Sequence, residues 1–282
     1  MTFAEAIAIA VLQGVTELFP ISSLGHAVLL PALLAPNIDL RSPAFLPFLV
    51  VLHLGTATAL LLYFWRDWWQ LFIGIFRGGK DELGEDRRRL LALIIIGTIP
   101  AVILGFAFEK QLRALFGEPK AAAAFLIANG ALLAFGEILR KQALAREKPS
   151  NKAGKLSFWG AFAIGVWQCL AFFPGISRSG ATMVGGLLAK LTHEQAARFS
   201  FLLATPVIVG ASVLEIPKLL RAETSSAAMP LDVVVSGGLA AGVAAYLSVA
   251  FLMHYFRRHD FAALMPFAVY CVLFGAISLA LL

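Results

Sequence analysis

Charge is what this 282-residue chain has least of: Asp, Glu, Lys and Arg together supply 14% of it. Soluble domains carry about 25%, so an ordinary water-facing surface cannot be built from this composition. Cysteine is almost missing as well. Cys169 and Cys271 stand far apart in apolar sequence, which excludes a disulfide framework and zinc-site spacing. No Lys or Arg precedes Arg41, so the basic start expected of a secretory leader is lacking. In place of charge the chain has oil: 60% of residues are hydrophobic and the mean hydropathy is +0.83. A soluble globule of that kind would expose larger apolar patches than monomers tolerate. The expectation is an all-α polytopic membrane protein, one integrated membrane domain.

Stretches free of Asp, Glu, Lys and Arg are long enough to place membrane spans, which need roughly 20 apolar residues for about 30 Å of hydrocarbon. Six full spans are expected, at 44–64, 90–108, 121–139, 199–217, 232–255 and 262–281. Two other regions, 3–35 and 157–190, carry prolines, glycines and a charge in mid-run. These read as broken, re-entrant hairpins, with two kinked ordinary spans apiece as the alternative; irregular backbone survives at membrane depth only when buried in protein or lining a wet cavity. Lys and Arg divide unevenly between the two sides of this topology, 16 against 6 with Arg178 left over. The richer side is assigned to the cytoplasm and both termini to the outside. The net charge of +6 is then loop charge facing anionic lipid, and nucleic acid is not needed.

A repeat follows from the same map. Residues 1–145 and 146–282 each hold one broken hairpin and three spans, an odd number, so the halves should be inverted relative to one another, as in many transporters. The breaks resemble each other locally: Phe19-Pro20-Ile21-Ser22-Ser23-Leu24-Gly25 against Phe173-Pro174-Gly175-Ile176-Ser177-Arg178-Ser179-Gly180. Entering from opposite sides, the two tips should meet near the midplane.

Both tips carry chemistry. Gln13 and Glu17 lie four apart, on one helix face, and a carboxylate in a membrane segment marks a functional site by default. Their oxygens are hard ligands suited to Mg²⁺ or Ca²⁺. Ser22, Ser23 and His26 follow, an imidazole able to act as acid, base or nucleophile beside hydroxyls it could activate. At the second tip, Pro174-Gly175 precedes Ser177, Arg178, Ser179 and Thr182 at the start of a helix. Freed backbone N–H groups, hydroxyls and a guanidinium fork together make an anion cradle. It is not a P-loop, because no Gly-Lys-Ser/Thr follows. Metal ligands opposite an anion cradle are the parts phosphoryl transfer needs.

At these residues the chain resembles a known family. QGVTELFPISSLGH (13–26) and PGISRSGAT (174–182) are similar to the two signature motifs of the bacterial undecaprenyl-diphosphate phosphatases, also called bacitracin-resistance proteins. The likeness extends through FWRD (64–67), IPAVILG (99–105) and FSFLLATP (199–206). It implies a divalent-cation-dependent hydrolase of the inner membrane that turns undecaprenyl diphosphate into the monophosphate carrier for peptidoglycan synthesis. Its site would open to the periplasmic face. By position it implies Glu17 with Gln13 in catalysis and metal binding, and Ser23 and His26 as the nucleophilic or acid–base centre. Arg178 would grip the diphosphate with Ser22, Gly175, Ser177, Ser179 and Thr182. Gln13 stands where the family often has Glu, and Leu24 where Thr is common. Ser23, His26 and a metal-bound water all stay open as the attacking group.

Other polar residues carry less weight. His53 sits alone in an apolar span, with cavity lining and an inter-helix hydrogen bond equally open. Glu137 and Glu215 are expected to reach the interface, Trp65, Trp68 and Trp69 to form an interfacial belt, and Lys80–Arg89 to be an exposed loop. Expected partners are a polyprenyl diphosphate and membrane lipid, with a homodimer admitted. The competing function is a polyprenyl-phosphate transporter or flippase, which an inverted-repeat scaffold would also suit. A second lipid-phosphatase motif is excluded: Val184 stands where its histidine is required.

Overall fold

A computed structural model describes residues 2–34, 45–76, 82–108, 118–146, 156–222 and 230–282, and among these the regular structure is helical throughout. The helices are α1 (Phe3–Leu18), α2 (Ser23–Leu34), α3 (Phe45–Tyr63), α4 (Trp65–Phe76), α5 (Glu82–Ala107), α6 (Pro119–Arg146), α7 (Phe158–Gln168), α8 (Arg178–Leu188), α9 (His193–Ala222), α10 (Leu231–Arg258) and α11 (Met265–Leu281). α5, α6, α9 and α10 are long and apolar enough to cross a membrane; α3 becomes a fifth if α4, bent from it by 75°, is counted with it. The first and last expected spans fall on α3 and on the 17-residue α11. This is a multi-pass membrane protein. Outward stripes such as Val235, Leu239, Val243 and Leu247 on α10 stay exposed, where lipid replaces protein as the apolar partner.

Both broken regions form helix–break–helix units. Proline removes a backbone donor and forces its predecessor out of the helical region. Phe19 before Pro20 has φ −66°, ψ 145° and Phe173 before Pro174 has φ −82°, ψ 123°. The arms are 16, 12, 11 and 11 residues. At 1.5 Å per residue the longest covers about 24 Å, so no arm crosses the hydrocarbon alone. α1 starts cleanly through a reciprocal cap between Thr2 and Glu5.

The described part of the Lys80–Arg89 run departs from the expected loop, and the expected tryptophan belt is carried on a helix. Trp65–Phe76 is an amphipathic helix with Trp65, Trp69, Phe72 and Ile75 exposed, the pattern of a helix lying in the interface. The Lys80–Arg89 run is helical from Glu82 onward, continuing α5 beyond its apolar part; Glu and Arg are good helix formers once water replaces lipid. Residues 77–81, and the side chain of Glu215, lie outside the described parts.

Packing follows small residues. α10 lies against α1 and α3, α7 against α5, and α6 against α11. The α3–α10 contact is so close that a Cβ on Gly55 would sit 2.2 Å from the Gly238 carbonyl oxygen. Without a hydrophobic drive between helices in lipid, such backbone approach is what holds them.

A separate ionic knot ties α6 to the start of α9 and the α10–α11 turn. Glu137, expected at the interface, is buried instead: its Oε1 accepts from His193 Nε2 at 2.7 Å and from the Leu264 N–H at 2.6 Å. Arg140 donates to both Asp260 carboxylate oxygens at 2.9 Å, and the His193 N–H donates to Asp260 Oδ1 at 3.0 Å. Partial burial opposes the Asp260 charge, but the His193 N–H and Arg140 outweigh it and hold the carboxyl below its usual range. A lowered carboxyl stabilises the fold above the ordinary carboxylate pKa of about 4 and stops doing so as pH falls through the lowered value. Asp260→Asn should therefore melt below wild type at pH 7, with the gap closing as the pH of the melt is taken below about 4. A gap constant from pH 7 to pH 3 would contradict this.

Candidate active site

The two breaks meet. Ser22, at φ 67°, adopts a left-handed conformation costing a non-glycine residue about 1–2 kcal/mol. In return its Oγ accepts from the Gly25 N–H at 3.2 Å and its carbonyl from the His26 N–H at 3.2 Å, starting α2. At the second break Gly175 has φ 108°, and a Cβ there would lie 2.3 Å from the Ala122 carbonyl oxygen. Only glycine lets this turn rest on α6. Ser177 caps α8, its Oγ accepting from the Gly180 N–H at 3.1 Å.

Polar groups join one break to the other. Asn129, fully buried in α6, donates from Nδ2 to the Pro20 carbonyl at 2.9 Å and accepts at Oδ1 from the Ser177 N–H at 2.9 Å. Ser179 Oγ donates to the Phe19 carbonyl at 3.0 Å, and Ser177 Oγ reaches the same oxygen at 3.4 Å.

Beside this junction is a cavity of about 360 Å³. Its polar wall includes Glu17, Ser22, Ser23, His53, Gln168, Ser177 and Arg178; Val50, Ala101, Val207 and Ile208 are among its apolar residues. Glu17 is the hub. Its Oε2 accepts from Ser23 Oγ at 2.5 Å and from Gln13 Nε2 at 3.1 Å, and faces His53 Nε2 at 3.3 Å. Its Oε1 accepts from Arg178 Nη2 at 3.2 Å. His53 Nδ1 is 2.7 Å from the Leu49 carbonyl, so an acceptor lies before each ring nitrogen. Arg178 Nη1 is buried with no protein partner.

Of the residues expected from sequence, Glu17, Ser22, Ser23, Ser177 and Arg178 therefore share one cavity. Gln13 stands behind Glu17 and orients it. Gly175 and Ser179 shape the junction, and Thr182 lies one turn deeper, bonded to the Arg178 carbonyl at 2.8 Å and Ser200 Oγ at 2.6 Å. His26 points elsewhere. Its Nδ1 meets the Ser22 carbonyl and its Nε2 the Tyr270 hydroxyl, both at 2.7 Å, while its ring stacks on Phe274 at 5.0 Å. Three residues were not singled out from sequence: Asn129, His53 as a partner of Glu17, and Gln168. A lone polar residue in an apolar span was the signal each offered.

Among the described residues no group of three His, Cys, Asp or Glu is arranged to hold a metal ion, and Glu17 is the one carboxylate of the cavity wall. One carboxylate with neutral oxygens does not form an all-protein cage. It does fit a cation such as Mg²⁺ that keeps waters and shares phosphate oxygens with a substrate.

A family model described as "Bacitracin resistance protein BacA" matches residues 6–277. The undecaprenyl-diphosphatase of Acidiphilium cryptum (strain JF-5) is 53% identical over 100% of this chain and 99% of that protein. Those of Granulibacter bethesdensis and Gluconacetobacter diazotrophicus are 52% and 49% identical, covering 99% and 100% of this chain and 97% and 98% of their own lengths.

The Asn129 bridge should be worth more than its size suggests. Asn129→Leu leaves the Pro20 carbonyl and the Ser177 N–H buried without that partner, at about 1–3 kcal/mol each. Unfolding in detergent should register a loss of about 2–4 kcal/mol, and a change below about 0.5 kcal/mol would show that the breaks do not depend on it.

Proposed function

Because this chain belongs to the bacitracin resistance protein BacA family, we propose that its cavity is where undecaprenyl diphosphate is hydrolysed to undecaprenyl phosphate and phosphate. The reaction returns the lipid carrier to peptidoglycan synthesis. It also confers bacitracin resistance by consuming the diphosphate the drug sequesters. The transporter reading is not favoured by the relatives' names.

One observation carries the chemistry: Ser23 Oγ lies 2.5 Å from Glu17 Oε2 in a cavity that also presents Arg178. Ser23 Oγ attacks the terminal phosphorus and passes its proton to Glu17; the bridging P–O bond breaks and undecaprenyl phosphate leaves. Water then attacks the phosphoserine, the P–Oγ bond breaks as Glu17 returns its proton to Ser23 Oγ, and phosphate departs carrying the water's oxygen and protons, with Ser23 and the Glu17 carboxylate restored. Arg178, tied to Glu17 through Nη2, keeps Nη1 for the phosphate oxygens. His53 and Gln13 hold the Glu17 carboxylate in place. His26 supports the tip, because both of its nitrogens are already engaged. A divalent cation, Mg²⁺ or Ca²⁺, held by Glu17 with Gln13 behind it, would neutralise phosphate charge when bound.

Topologically, the reading is of two inverted repeats divided near residue 145, in the bacterial inner membrane, with the cavity opening to the periplasm. The proline breaks of both halves and the excess of Lys and Arg on one side support it.

The test is terminally labelled undecaprenyl diphosphate with purified protein. Ser23→Ala should lose more than about 10³-fold in turnover, as removal of a nucleophile does, and label should be trapped on serine in an acid-quenched wild-type reaction. His26→Phe should keep measurable turnover. Ser23→Ala with more than a tenth of wild-type activity would hand the attack to water or to His26.

A further inference from the structure

Five buried side-chain polar atoms among the described residues have no protein partner, and three of them lie in one place: Gln168 Nε2, Gln168 Oε1 and Arg178 Nη1. Both residues line the cavity that contains Glu17. Gln168, the last residue of α7, is only 2% exposed. A buried primary amide bonded to neither backbone nor side chain is rare in folded proteins, because two donors and an acceptor have then been withdrawn from water for nothing.

The other break shows what a tethered glutamine looks like. Gln13 stands on the first arm just ahead of Pro20, as Gln168 stands ahead of Pro174. Gln13 finds a carboxylate one turn on, at Glu17, and donates to it. One turn on from Gln168 the chain places Phe172, which cannot bond the amide and is itself part of the cavity wall. The second glutamine is thus left facing the same space as the unpaired nitrogen of Arg178. The amide suits that position chemically. It donates without adding charge, so it can bind an anion while leaving the balance between Glu17, His53 and Arg178 untouched.

We propose that Gln168 is a substrate-contact residue: its Nε2 donates to a phosphate oxygen of the diphosphate held by Arg178. The assignment rests on the hydrolase reading above and extends it to a residue outside both sequence motifs.

Full-length Gln168→Leu and Gln168→Glu, purified in detergent, test it. Each is assayed for undecaprenyl diphosphate hydrolysis and for melting temperature with and without inorganic pyrophosphate. Gln168→Leu keeps the shape and removes the amide. It should melt at or above wild type without ligand, since the amide gains nothing from the protein. Its kcat/KM should fall about tenfold to a hundredfold, the size expected for a bond to a charged group, and pyrophosphate should raise its melting temperature less than it raises wild type's. Gln168→Glu, nearly isosteric, should fall further, because a carboxylate now faces the diphosphate. Wild-type kcat/KM and pyrophosphate shift in Gln168→Leu would mean that the amide is merely solvated cavity wall and would overturn the proposal. Should that variant fail to fold, Gln168→Glu decides alone, wild-type kinetics again being fatal. Glu17→Ala and Arg178→Ala separate the two levels. If they lose activity while Gln168→Leu does not, only this assignment falls; if they retain it, the site reading falls and this proposal with it.

Discussion

Two prolines in apolar sequence impose the constraint from which the rest of this structure follows. Each breaks a helix where no water waits to satisfy the freed backbone, so the broken ends must bond to one another or to side chains. The Phe19 carbonyl takes the hydroxyls of Ser177 and Ser179, and the Pro20 carbonyl and Ser177 N–H share Asn129. Much of the family-like serine content of the second motif is thereby spent on joining the breaks. Once joined, they bring Glu17, at the end of one arm, to Arg178, at the beginning of another, at 3.2 Å.

That pairing sets the electrostatics. A carboxylate and a guanidinium buried together offset part of each other's desolvation, yet the pair is weak as a source of stability. Its worth is better sought in function. The cluster sets one carboxylate against two basic side chains, Arg178 and His53, around a shared space. Ser23 is bonded to the same carboxylate, so the hydroxyl, the carboxylate and the guanidinium on which the proposed reaction draws are organised by a single side chain.

How much of this could be read from the chain depended on how local each cause is. The breaks were legible because proline acts on its own residue and the one before it, and α1 and the second unit's first arm leave helical geometry at Phe19 and Phe173. That Glu17 and Arg178 come together beside the breaks, with Ser23 between the tips, was legible because a charge at a helix break in lipid is costly to keep without a partner. Asn129 was not, and for His53 cavity lining was one of two open readings with no partner named, since each is a single polar residue in an apolar run and only tertiary packing of α3 and α6 against the tips supplies its partner. The orientation of His26 was hidden by a longer-range cause. It follows from the left-handed turn at Ser22, which swings the first turn of α2 so that the imidazole meets Tyr270 on the distant α11. The helix over 82–89 was missed because a run of mixed charges resembles a loop, while only its continuity with the apolar part of α5 makes it helical.

The composition of the cavity wall connects this chemistry to the membrane. A soluble phosphate would need only the polar side: Glu17, Ser23, Arg178 and their supports. Here the same space is also bounded by Val50, Ala101, Val207 and Ile208 from α3, α5 and α9, and α5 and α9 carry apolar side chains to the lipid-facing surface. Such walls lower the local dielectric and strengthen each charge–charge contact at the reacting phosphorus. They also set the terms of entry. A free phosphate has only the polar wall to offset the hydration it gives up, whereas a prenyl chain buries about 0.8 kcal/mol per CH₂ in lipid or protein alike. On the proposed reading the tail holds the head at the cavity at little cost, and the basic side chains are left to discriminate among lipids by the charge each carries, a combination that a diphosphate lipid meets.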